Sequence, residues 1–235
     1  LQAVYRDIHS AATAVAAIMA QPVTPCALEF MDAASINMIR GYTPAALPES
    51  AGALLMIEVD GSAVAIDSSV EAVSRTARND GLLSLTVART AAEAGALWAT
   101  RKALSPALRK IAPNKLNEDV VVPVSAIPAL IDGLAALSRE FGIPIVNFGH
   151  AGNGNIHVNL LYDSQQPQQA ANARPCLDRV FALVMSLHGT LSGEHGVGIE
   201  KRDYTPLELD PVAIDLMRRL KREFDPEGIL NPGKV

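Results

Sequence analysis

Two short segments hold most of the side chains in this sequence that could do chemistry. The first, Phe148–Asp163, reads FGHAGNGNIHVNLLYD, and the second, Leu191–Tyr204, reads LSGEHGVGIEKRDY. Four of the five histidines (His150, His157, His188, His195) and seven of the sixteen glycines fall between residues 149 and 198. If Asn155–Leu161 is a strand, alternation sends Ile156, Val158 and Leu160 to one face and Asn155, His157 and Asn159 to the other. His150 precedes that strand in a loop with Gly149, Gly152 and Gly154. Such a loop can fold back beside His157, so that two imidazoles share a metal. A solvated polar face beside a glycine turn is the plainer alternative.

In the second segment Glu194 and His195 are flanked by Gly193, Gly196 and Gly198, so backbone there can approach a ligand closely. A carboxylate beside an imidazole suits metal ligation together with proton abstraction. The imidazole titrates near neutrality, and the carboxylate is a hard ligand for a divalent cation. Alone, Glu-His in a glycine turn reads as a surface loop; with His150 and His157 it makes an open three-ligand site. His188 sits at a helix end and reads as a capping or surface residue.

Both segments carry G-x-x-G-x-G spacing, which is neither the dinucleotide fingerprint G-x-G-x-x-G nor a phosphate loop ending in Gly-Lys-Ser/Thr. Trp98, Arg101, Lys102 and Lys115 form a third set. Its cations could grip a carboxylate through charge-assisted hydrogen bonds, arginine in a bidentate fork. Solvated charges on a helix face are the alternative.

The elements that must position these groups follow from periodicity. Helical spacing covers residues 2–20, 64–79, 90–110, 168–188 and 206–224, and Asp32 can cap a helix over Ser35–Arg40 that ends at Gly41. Ser125 is placed to cap another helix, running to Phe141. Strand-length apolar runs occupy Ala27–Met31, Ala53–Val59, Leu82–Ala88, Glu118–Val122, Ile145–Phe148 and Asn155–Leu161. Short strands separated by single helices predict an α+β domain.

Composition narrows the class. The chain has 235 residues, 49% hydrophobic and 19% charged, which suffices for a buried core and excludes a disordered chain. A net charge of -5 argues against a nucleic-acid partner. No apolar run approaches the roughly 20 residues of a membrane span. Cys26 and Cys176 make no disulfide framework, which points to a reducing, cytoplasmic setting. The chain opens at Leu1, without Met or a signal peptide, so a fragment of a longer protein is expected.

The two glycine/histidine segments, the stretch Asn117–Pro123 (NEDVVVP) and the terminal DPEGILNPGK together resemble the C-terminal domain of the FAD-linked oxidases. That group includes D-lactate dehydrogenases, the glycolate oxidase flavin subunit and D-2-hydroxyglutarate dehydrogenase. The resemblance covers essentially residues 1–235 and implies an antiparallel sheet with helices packed on one side. It further implies that this domain caps an FAD held by an N-terminal domain, which is expected to lie outside this chain.

By this resemblance His150, His157 and Glu194 are ligands of a divalent metal such as zinc, and His195 is the base that takes a hydroxyl proton. Arg101 grips the substrate carboxylate, Lys115 is a second carboxylate contact, and Asn159 is a polar contact. Asn231 lies where the tail approaches the flavin. The first motif departs from the family at Asn153, where an aspartate is frequent, which puts any charged supporting role there in doubt. The implied activity is oxidation of a small 2-hydroxy acid to the 2-keto acid. The electron acceptor is unassigned, and an oligomer or partner subunits are compatible. A non-catalytic interaction module and a metal-dependent hydrolase remain as alternatives. For the metal trio, the expectation is side-chain separations of about 4 Å around one ion, with His195 close by and not coordinating.

Overall fold

The computed structural model describes residues 1–40 and 47–234. The chain order is β1 (Gln2–Tyr5), α1 (Ile8–Ala20), β2 (Ala27–Asp32), α2 (Ala33–Ile39), β3 (Ala53–Glu58), α3 (Ile66–Thr76) and β4 (Leu82–Thr86). It continues with α4 (Ala91–Lys102), α5 (Leu104–Ile111), β5 (Asn114–Val121), α6 (Ile127–Phe141), β6 (Ile145–His150) and β7 (Asn155–Tyr162). Helices α7 (Pro167–Ser186) and α8 (Pro211–Phe224) complete it. The strands form one seven-stranded sheet, order β4-β1-β3-β2-β6-β7-β5, and every pairing is antiparallel.

Several sequence expectations change in the structure. Residues 2–20 are not one helix: Gln2–Tyr5 is a strand with all four residues buried, inserted between β3 and β4. The helix starts only where the Asp7 carboxylate accepts the Ser10 N–H at 2.7 Å. Val4 and Ile8 share helical spacing by coincidence; burial on both sides is what makes Val4 a strand residue. The 90–110 helix is two, α4 and α5, meeting at Ala103. The helix expected from 206 begins at Pro211, after a short 3-10 turn over Arg202–Leu207. Ser125 does not cap α6; it lies in a 3-10 turn, and the helix N-terminus at Ala126 has no side-chain cap. Asp32 does cap α2, through the Ser35 N–H at 2.7 Å, while the expected helix end at Gly41 lies outside the described residues.

Helices α1, α6 and α7 cover one sheet face, where Val15, Ile18, Leu130, Leu134, Val180 and Phe181 meet Ile156, Val158 and Leu160. A smaller layer, α2 with α5, covers part of the opposite face through Ile36, Ile39, Leu104 and Leu108. Each fully buried aliphatic side chain contributes about 1.5–3 kcal/mol by leaving water. The remainder of that second face carries the polar and ionisable side chains.

His150 is the last residue of β6, not part of a loop, and a tight turn over 151–154 joins it to β7. Gly154 makes that turn possible. It adopts φ +80°, and a Cβ there would lie 2.0 Å from the carbonyl oxygen of Val122, a residue whose N–H donates to the Gly154 carbonyl at 3.1 Å. Gly154→Ala is therefore expected to cost about 2–4 kcal/mol of stability, from left-handed strain and the backbone clash together. Urea denaturation checks this; a cost below about 0.5 kcal/mol, the range of ordinary surface substitutions, would refute it.

Candidate metal and substrate site

Register places the site. On the face opposite α7, His157 of β7 stands across from Phe148 of β6 and Asp119 of β5, while His150 stands across from Asn155 and from Glu29 of β2. His150 and His157 are thus diagonal neighbours on one sheet face, ring centroids 5.3 Å apart and edge-on. Their proximity comes from strand pairing, not from a glycine loop folding back.

Glu194 and His195 arrive on the segment after α7. Thr190 and Val121 exchange backbone hydrogen bonds at 2.9 and 3.1 Å, which fastens that segment to the edge strand. Gly193 then descends onto Asn155, where a Cβ would come within 2.5 Å of its amide. One oxygen of Asp119 accepts the backbone N–H groups of Gly193, Glu194 and His195 at 3.0, 2.5 and 2.7 Å. Its other oxygen accepts Lys201 Nζ, which also lies 3.3 Å from Glu118. Burial alone would raise the Asp119 carboxyl. The Lys201 ammonium and the His195 and Glu194 amides overcome it and hold the group well below the usual carboxylate range.

The ligand atoms of His150, His157 and Glu194 lie within 4.8 Å of one another. Glu194 Oε1 is 3.6 Å from His150 Nε2 and 3.4 Å from His157 Nε2. Two donors at 2.0–2.2 Å from one tetrahedral ion stand roughly 3.4 Å apart, so this donor set fits a divalent cation such as zinc. Burial, followed by the neighbouring His150, pushes the His157 imidazole down toward its neutral, ligating form. His195 stacks on His157 at 5.4 Å, with Nε2 3.9 Å from Glu194 and Nδ1 3.5 Å from Asp119. An imidazole thus stands beside the trio with a carboxylate behind it.

The remaining candidates fall into place unevenly. Arg101 of α4 donates from Nε to Glu29 at 2.8 Å, and its guanidinium lies 4.6 Å over the Phe148 ring. Asn159 is fully buried; its NH2 donates to the Val146 and His157 carbonyls, and its Oδ1 has no partner among the described residues. Lys115 is exposed on the same face, across from Leu161, lining a cleft with Asn117 and His195. Asn231 takes a left-handed φ of 47° in the exposed tail, which Asp225 holds through the Ile229 and Leu230 amides. His188, at the end of α7, also has positive φ, at 58°. Asn153 accepts the Asn155 N–H at 3.1 Å, a turn contact that an amide makes as well as a carboxylate.

Sequence reasoning assigned no role to Asp119 or Glu29. Glu29 is an acid flanked by apolar residues in β2, and alternation puts Asp119 on the same face as Asn117 and Lys115 of β5; that was the available signal. The cluster is open on one side: Glu194 and His195 are 49% and 44% exposed, His157 only 10%. No helix of the described residues is long and apolar enough to cross a membrane.

Comparison with known proteins places the chain in a family. The chain is 35% identical over 235 residues to the glycolate oxidase subunit GlcD of Bacillus subtilis, covering all of this chain and 50% of that protein. It is 30% identical over 239 residues to a D-lactate dehydrogenase of Anaerostipes hadrus, covering 98% of this chain and 50% of the relative. The chain therefore spans about half the length of these curated relatives. Among solved structures, p-cresol methylhydroxylase with substrate bound shares the fold at a TM-score of 0.75 and 14% identity, over 99% of this chain and 51% of that one. The family model described as FAD linked oxidases, C-terminal domain, matches residues 1–235, and the chain belongs to that family.

Proposed function

We propose that this chain is the substrate- and metal-binding domain of a flavin-dependent dehydrogenase or oxidase of small 2-hydroxy acids, of the glycolate, D-lactate or D-2-hydroxyglutarate type. The observation that carries this reading is the convergence of His150, His157 and Glu194, with His195 beside them on the open side. The names of the relatives, glycolate oxidase, D-lactate dehydrogenase and D-2-hydroxyglutarate dehydrogenase, support the substrate class. The word subunit in the first relative's name supports partner subunits. Two free cysteines support a reducing, cytoplasmic setting.

The residues present fit a metal, and they fit a face that covers a flavin rather than a cradle that holds one. The half-exposed side of the cluster supplies the surface, while neither glycine segment has the spacing of a dinucleotide-phosphate loop. FAD is accordingly assigned to a separate domain of the working protein. When bound, the metal supplies Lewis-acid polarisation of the substrate hydroxyl, and the flavin supplies a hydride acceptor.

This chain's own residues then do four things. His150, His157 and Glu194 hold the metal in an open three-ligand site. Arg101 offers its terminal amino groups to the substrate carboxylate, with Lys115 as a cation at the rim. Asn159 presents an acceptor through its unpartnered Oδ1. His195 takes the hydroxyl proton on its imidazole, and Asp119 steadies the resulting charge from 3.5 Å.

Zinc titration tests the reading. The protein is expected to bind one zinc per chain, and Glu194→Gln or His157→Ala to weaken binding at least 100-fold, followed by competition with a chromogenic chelator. Stoichiometry near zero in the folded protein, or unchanged affinity in both variants, would refute the metal assignment. For the activity, the flavin-loaded protein should reduce a dye only when a 2-hydroxy acid is supplied.

A further inference from the structure

We propose that Glu29 is a positioning residue whose single carboxylate ties the metal ligand His150 to the substrate arginine Arg101. The inference rests on the roles proposed above for those two residues. Glu29 belongs to β2, directly across from His150 of β6, and its side chain is 8% exposed. Its two oxygens are divided between two partners. Oε1 meets His150 Nδ1, and Oε2 meets Arg101 Nε at 2.8 Å.

Each contact has a chemical consequence. A carboxylate can only accept, so the His150 proton sits on Nδ1, and the lone pair is on Nε2, the nitrogen facing Glu194 at 3.6 Å. Arg101 spends Nε on Glu29, which leaves its two terminal amino groups as the bidentate fork. The Phe148 ring under the guanidinium holds the plane of that fork. Glu29 lies on adjacent antiparallel strands with His150, so it cannot shift without moving the sheet. A buried carboxylate without partners would be costly; here each oxygen meets one donor. The same charge therefore sets the tautomer of a ligand and the aim of a clamp, and losing it should disturb both together.

Glutamine at this position can satisfy only one partner, since its NH2 would face either the His150 N–H or the Arg101 Nε–H. In Glu29→Gln, zinc affinity measured by chelator competition is expected to fall 10–100-fold. Binding of glycolate to the zinc-loaded protein, measured by calorimetry, should weaken as well. Nitrogen NMR of the metal-free wild-type protein gives an independent readout that needs no variant to fold. His150 should appear as the Nδ1–H tautomer, and in Glu29→Gln that preference should weaken. An Nε2–H His150 in the wild type, or unchanged zinc and glycolate binding in a folded Glu29→Gln protein, would overturn the proposal. Failure of the wild-type protein to bind zinc would instead overturn the metal reading beneath it.

Discussion

Asp119→Ala should lower the unfolding free energy by about 3–5 kcal/mol, the cost of stranding a buried charge. The stranded charge is Lys201, only 4% exposed, which keeps the Leu191 carbonyl at 2.8 Å and the Glu118 carboxylate at 3.3 Å but loses its nearest carboxylate. Three consecutive amides, of Gly193, Glu194 and His195, lose their common acceptor in the same change. The stability loss and the site's loss of order can be separated. In Asp119→Ala/Lys201→Met the orphaned ammonium is gone, so part of the stability should return, the rest being withheld by Glu118, which loses its cation. The Glu194 and His195 amides still lack an acceptor, although Gly193 keeps the backbone carbonyl of residue 119 at 2.9 Å, so zinc affinity should stay low. Acid titration adds a signed check. The folded Asp119 carboxyl lies below its unfolded value, so its contribution is fully present above the unfolded carboxylate pKa of about 3.9 and fades as pH falls toward the folded value. The difference between wild type and Asp119→Ala should be flat from pH 5 to 8 and shrink only below about pH 4. A stability cost under about 1 kcal/mol, or full zinc affinity in the double variant, would show that Asp119 does not organise this segment.

His195→Asn should reduce turnover of the flavin-loaded protein by about 10²–10⁴, the usual contribution of a positioned general base. Zinc affinity should change little, because the ligand trio is His150, His157 and Glu194, and His195 Nε2 stands 3.9 Å from Glu194. The fall should appear in kcat more than in KM, since the imidazole acts on the proton in flight and the carboxylate is held elsewhere. A variant that loses zinc as readily as His157→Ala would make His195 a ligand instead. Near-normal turnover would remove it from the chemistry. His195 stacks on His157 at 5.4 Å, and asparagine loses that contact, so the stability of the variant must be measured alongside.

Much of the candidate site was legible because its chemistry is local. Glycines cluster around His150 and around Glu194–His195, and alternation alone sends His157 and Asn159 away from Ile156, Val158 and Leu160. Other features misled for a reason that can be named. Val4 and Ile8 match helical spacing, yet Gln2–Tyr5 is a buried strand, because a short apolar run satisfies either period and only its neighbours arbitrate. His150 looked like a loop residue beside glycines; it ends β6, since the turn needs only 151–154.

By itself, the sequence determined the elements whose period is long and regular, the glycine turns, and the set of metal-competent side chains. Tertiary structure decided which strands are neighbours. Placing β2 beside β6 brings Glu29 to His150 across 121 positions of chain, and placing β5 beside β7 brings Asp119 under a segment some 75 residues away. No period encodes such pairings. They are selected by which arrangement buries every strand's apolar face at once, and a strand carboxylate carries no mark of its partner until that burial is complete.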